Sequence, residues 1–114
     1  MQHARREALL WAAQRASAVV LAVCVMVHIV TIVYATRGGL SGAEILERTR
    51  GNQAWFVFYA VFVLAVAVHA PIGLRAIAIE WLGWRSRWRD IALLIFAVTL
   101  IAMGFGATRS LFVA

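Results

Sequence analysis

The chain has 114 residues, 64% of them apolar, and a mean hydropathy of +0.86, which excludes an ordinary soluble domain and points to a membrane protein. Eleven basic residues, all arginine, outweigh five acidic ones to give a formal charge of +6. They fall between hydrophobic runs, where lipid headgroups or an acidic partner surface would meet them, and this placement argues against nucleic acid as the partner.

Three runs are long enough to span a bilayer, about 16–35, 54–79 and 91–108, against about 20 residues for a spanning helix. The third is short for the task. An all-α chain of three transmembrane helices is predicted, forming one membrane domain over residues 1–114, with no internal repeat. The first run lacks a small-residue cleavage site followed by a soluble domain, so no cleavable signal peptide is expected.

The first run carries His28 in "AVCVMVHIVTIVYA". At about 100° per residue, Ser17, Leu21, Cys24, His28, Thr31 and Ala35 share one face, a narrow stripe of small and polar groups among Val, Ile and Leu. Cys24 is the single cysteine; it permits no internal disulfide and reads as a small buried side chain. In the loop that follows, "SGAEILER" sets Ser41 and Glu44 at capping-box spacing, which predicts either a short amphipathic helix on the outer surface or a solvated connector. The second run carries His69, with Ala65, Gly73 and Ala76 on the same face. Pro71, two residues on, is expected to distort the helix. Arg75, Arg85, Arg87 and Arg89 close this run and fill the next loop, and with Arg5, Arg6 and Arg15 they predict a cytoplasmic N-terminus. Trp55, Trp81, Trp84 and Trp88 lie at span ends as an interfacial belt.

His3 lies in the tail and carries no weight. His28 and His69 lie within spans, where an ionisable group must find a partner, so each is a candidate ligand or an interhelical hydrogen-bonding group. The small residues around them leave room for a flat, wide group and serve close helix packing equally well. Other chemistries lack their parts. Metal hydrolysis would want three or more convergent ligands, and only two intramembrane histidines exist; there is no phosphate-binding glycine loop, no serine with a histidine and carboxylate, and no carboxylate in mid-span to carry a proton, Glu80 standing at a span end.

The stretch "QRASAVVLAVCVMVHIVTIVYA" resembles the first transmembrane helix of the cytochrome b anchor subunits of succinate dehydrogenases and fumarate reductases. There a Q/H-R-x-S-x patch opens the helix and a haem-ligating histidine follows about four turns on. "HAPIGLRAIAIEW" is similar to that family's second ligand helix, in which His is followed by a Gly-Leu/Ile-Arg step and an acidic residue. The resemblance runs from Gln14 to Glu80, and the third helix matches only in being apolar. It implies that His28 and His69 are axial ligands of haem b and that Arg75 meets haem propionates. Arg15 and Ser17 would lie near a quinone pocket, although Arg15 reads equally well as an interfacial snorkelling arginine. Trp11 stands where many members carry an additional serine, which leaves completion of that pocket to a partner chain.

The resemblance further implies an anchor in the bacterial inner membrane, with flavoprotein and iron–sulfur subunits docked on its cytoplasmic face and no dicarboxylate chemistry of its own. Arg85, Arg87 and Arg89, with Trp84 and Trp88, are the expected docking patch or a topology signal alone. A haem-free structural or assembly subunit, and a cytochrome b feeding another dehydrogenase, are the alternatives. His28 lies thirteen residues beyond Arg15 and His69 six before Arg75, about 20 Å and about 9 Å from the arginines at 1.5 Å per residue. One iron cannot readily take both. The expectation is therefore two haems per pair of three-helix subunits, the second subunit being an identical copy or a paralogue.

Overall fold

The structure is a computed structural model and describes residues 1–113. Four helices follow one another: α1 (Gln2–Arg37), α2 (Gly42–Thr49), α3 (Gln53–Leu82) and α4 (Arg87–Val113). α1, α3 and α4 are each long and apolar enough to cross a membrane, and the three expected runs fall inside them. The protein is accordingly a multi-pass membrane protein.

Two helices extend well beyond their apolar runs. α1 begins at Gln2 because the polar stretch "QHARREALLWAAQR" holds neither Gly nor Pro and is rich in strong helix formers. α4 covers 27 residues where the apolar run suggested 91–108. Arg87, Arg89 and Arg109 interrupt the hydropathy at its ends, and none of them interrupts the helix.

The connections are fixed by local chemistry. Gly39, at φ 68, takes the left-handed turn after α1. Ser41 Oγ caps α2 by accepting from the Glu44 N–H at 3.2 Å and donating to Glu44 Oε1 at 3.2 Å, so the capping-box pair does form a helix. Asn52 Oδ1 accepts from the Ala54 and Trp55 N–H groups at the start of α3. Gly83, at φ 63, ends that helix, which otherwise runs unbroken through Pro71.

α3 is the central helix, packed by α1 on one side and α4 on the other. Lipid tails are as apolar as leucine, so close contact has to come from small residues and hydrogen bonds. The buried apolar residues are accordingly small: Cys24, Ala65, Ala67 and Ala78. The stripe foreseen on α1 is its packing face, with Ser17 and Cys24 buried and Leu21, His28, Thr31 and Ala35 half-buried. α4 approaches α3 at Gly104, where an added Cβ would lie 2.6 Å from a Val63 methyl. Farther along, the Phe56 and Phe112 rings meet at 5.1 Å and the Gly51 N–H donates to the Phe112 carbonyl at 2.8 Å.

Arg89 departs from its expected place in an exposed patch. It is 7% exposed, with Nε and Nη2 donating to Asp90 Oδ1 and Nη1 to the Trp84 carbonyl. Its guanidinium closes the α3–α4 turn from within, and only Arg85 and Arg87 of that trio face outward.

Candidate functional site

Both intramembrane histidines lie in the α1–α3 seam, each against a hydroxyl from the opposite helix. His69 Nδ1 lies 3.4 Å from Ser17 Oγ, and Ser17, buried, also donates to the Gln14 carbonyl at 3.1 Å. His28 Nδ1 lies 3.3 Å from the Tyr59 hydroxyl. Its ring stands edge-on to Tyr59 and Phe62, with centroids at 5.8 and 5.6 Å. Among the described residues neither Nε2 has a hydrogen-bond partner. One nitrogen engaged and the other free is how metal-ligating imidazoles are held, since the engaged nitrogen fixes ring orientation.

The two contacts also measure depth. Ser17 and His28 are eleven residues apart on α1, about 16 Å at 1.5 Å per residue. Tyr59 and His69 are ten apart on α3, about 15 Å on the same rise. Two helices running in opposite directions agree, so the imidazoles occupy two levels of the bundle. A single iron, with axial nitrogens about 4 Å apart across it, cannot take both.

Space adjoins each level. His28 borders a groove of about 470 Å³ between α3 and α4, walled by Phe62, Val66, Leu100 and Met103 and narrowed at Val63 and Gly104. Ser17 borders a groove of about 340 Å³ with Ala13, Ala16 and Ala65. Around His69, Ala65 is buried, and Gly73 admits the Gln14 side chain, whose Nε2 would lie 3.4 Å from an added Cβ. Ala76 faces outward. Among the described residues no three His, Cys, Asp or Glu side chains converge. The two imidazoles are isolated from each other and, among the described residues, neither belongs to a set of three metal-ligating side chains.

The arginines are placed differently from one another. Arg15 is exposed, its guanidinium 5.4 Å over the Trp11 ring, while Ser17 turns into the seam, so within this chain the two do not converge. Stacking on an aromatic at the end of the apolar run is what a snorkelling arginine does. Arg75 Nη2 donates to Glu7 Oε1 at 2.9 Å, and this bond holds the Glu7 carboxyl below its usual range. Among the described residues Arg75 Nε is buried without a partner, as is Gln14 Oε1.

Tyr59, Gln14 and Glu7 were not foreseen as site residues. Tyr59 is the sole hydroxyl in the second apolar run, and a lone hydroxyl in hydrocarbon needs a partner; that was the available signal. Gln14 opens the Q/H-R-x-S-x patch of the family resemblance but was given no role, and Glu7 carried no signal, because its partner Arg75 lies on α3 at a position only the helix register reveals.

A family model described as succinate dehydrogenase/fumarate reductase transmembrane subunit matches residues 1–106. No curated protein and no solved structure matches the chain.

Proposed function

Because the chain belongs to the succinate dehydrogenase/fumarate reductase transmembrane subunit family, we propose that it is the haem b-binding anchor of such a complex. In this reading it passes electrons between iron–sulfur clusters on partner subunits and the quinone pool. The observation that carries the reading is the pair of intramembrane imidazoles, each with Nδ1 against a hydroxyl of the neighbouring helix and Nε2 free.

Haem b, when bound, supplies reversible one-electron chemistry, and two imidazole ligands leave no open position for oxygen or substrate. His28 and His69 would hold it through Nε2. Ser17 and Tyr59 orient the rings, and the apolar walls beside His28 keep water away. Each level would hold its own haem, with His28 and His69 as this chain's ligands and the remaining ligands coming from a second three-helix subunit. An identical copy is the simpler choice, since a twofold axis presents each histidine again at its own depth. Arg75, which Glu7 engages through Nη2 alone, would supply its guanidinium charge to a propionate. Arg15, on the outward face, contributes to a quinone pocket that a neighbouring chain completes, and the groove beside Ser17 has room for a flat ring.

The side rich in arginine would be cytoplasmic and would carry the flavoprotein and iron–sulfur subunits, with exposed Arg85 and Arg87 as the charged contacts. The bacterial inner membrane is the corresponding location. A haem-free anchor is the second reading, favoured by the fact that both histidine contacts tie α1 to α3 and would serve as glue.

A reduced-minus-oxidised optical spectrum of the purified complex separates the two. A b-type signal that falls when either histidine is replaced supports the haem reading, and no haem in the wild-type complex refutes it. Haem content gives the stoichiometry, about one per copy of this chain for an identical pair and about two for a heterodimer.

A further inference from the structure

At the arginine-rich end of the bundle a groove of about 250 Å³ opens between α1, α3 and α4. All three helices line it in the same order, charged at the end of the bundle and apolar toward its middle. α1 supplies Arg6 and then Leu10, α3 Arg75 and then Ile72, and α4 Asp90 and then Leu94. The apolar part reaches Ala97, seven residues beyond Asp90 and about 10 Å farther in at 1.5 Å per residue. Leu94 is 65% exposed, so the trough is open to whatever lies beside the bundle.

The charges at its head do not balance. Glu7 Oε1 accepts from Arg75 at 2.9 Å, and Asp90 Oδ1 from Arg89 at 2.7 Å. Arg75 chiefly holds the Glu7 carboxyl down and Arg89 the Asp90 carboxyl, and the Arg6 charge adds to both. Arg6 itself forms no ion pair among the described residues. Three guanidinia therefore meet two carboxylates, which leaves one positive charge at the mouth of an apolar trough.

We propose that this groove binds one phospholipid of single negative charge, with its phosphodiester on Arg6 and Arg75 and an acyl chain along Leu94 and Ala97. Guanidinium pairs well with phosphate oxygens, and basic pockets between transmembrane helices attract anionic headgroups by about a fivefold factor for each arginine. A soluble acidic partner would match the charge and leave the trough empty, and so would free phosphate. The proposal does not rest on the haem reading, in which Arg6 has no part; a chain without haem binds the lipid all the same.

The full chain in detergent micelles, titrated with phosphatidylglycerol and separately with phosphatidylcholine, tests this by native mass spectrometry. About one phosphatidylglycerol per chain should be retained, about fivefold or more in preference to phosphatidylcholine. Arg6→Gln should weaken phosphatidylglycerol about fivefold, and Arg6→Lys should keep most of the affinity. Arg85→Gln, which removes an exposed arginine outside the groove, should change nothing. Equal retention of the two lipids overturns the proposal, and so does an equal loss in Arg85→Gln, which would reduce the attraction to a diffuse one. Excess inorganic phosphate should leave the lipid in place; displacement by it would assign the arginines to a free anion. If Arg6→Gln releases soluble partner subunits from the complex while lipid retention is unchanged, Arg6 serves a protein contact and the lipid site is refuted.

Discussion

Replacing Gly104 with alanine tests how tightly α4 is held to α3. The new Cβ would lie 2.6 and 2.7 Å from the two Val63 methyls and 3.2 Å from the Val63 Cβ, where carbon atoms ordinarily rest at about 3.5–4.0 Å. The helices must part by roughly 1 Å or Val63 must leave its rotamer, and such overpacking costs about 1–3 kcal/mol. Alanine's better helix propensity returns about 0.8–1.0 kcal/mol, so the net loss should be about 0–2 kcal/mol. Val63→Ala removes both offending methyls. In that background the same Gly104→Ala change should become neutral or stabilising by up to about 1 kcal/mol. Reversible unfolding of the four variants in mixed micelles, followed by circular dichroism, closes the double-mutant cycle. A coupling of about 1–3 kcal/mol is expected. If Gly104→Ala has the same effect in both backgrounds, within about 0.5 kcal/mol, the close approach described here is wrong.

Three more outcomes follow from individual side chains. Ser41→Ala should cost α2 about 1 kcal/mol by leaving the Glu44 N–H uncapped, read as faster amide exchange over residues 42–49. Glu7 has its carboxyl held down by Arg75, so the tie between α1 and α3 is complete above its usual value of 4.5 and is lost as pH falls through the lower folded-state value. Amide protection relative to the intrinsic exchange rate should therefore fall over residues 2–10 on acidification, and Glu7→Gln should remove its part of that dependence, leaving the part due to Asp90, which Arg89 likewise holds down. Arg89→Ala should destabilise the isolated subunit by stripping the Trp84 carbonyl and Asp90 of their donor, whereas Arg85→Glu with Arg87→Glu should leave its unfolding unchanged and release soluble partner subunits, read by co-purification.

What was legible in the sequence followed from periodicity. Ser17, Leu21, Cys24, His28, Thr31 and Ala35 recur at helical spacing, and small groups in a span of Val and Ile mark the side where another helix must come close. Ser41 and Glu44 were legible because capping chemistry is local. The ends of α1 and α4 were not, because hydropathy registers where lipid begins and does not register helix propensity; an arginine ends the one without disturbing the other. Arg89 looked like Arg85 and Arg87 because alternate residues in a short loop carry no label of inside and outside. The turn at Gly83 decides which guanidinium folds back. The pairing of His28 with Tyr59 needed the register of two antiparallel helices, and their relative height is set by a loop whose geometry is invisible in composition.

The difference in height between the imidazoles bears on membrane energetics. The hydrocarbon core is about 30 Å thick, so an electron handed between groups at levels about 15 Å apart would cross about half of it. A full crossing changes the energy of one elementary charge by about 2.3 kcal/mol per 100 mV; half of it is about 1.2 kcal/mol, roughly an eightfold factor in an equilibrium constant. In the haem reading, the ten-position separation of Tyr59 and His69 on α3 would make the poise of the two centres relative to each other sensitive to the membrane potential, and a tilt of the bundle would reduce that sensitivity in proportion to the lost height.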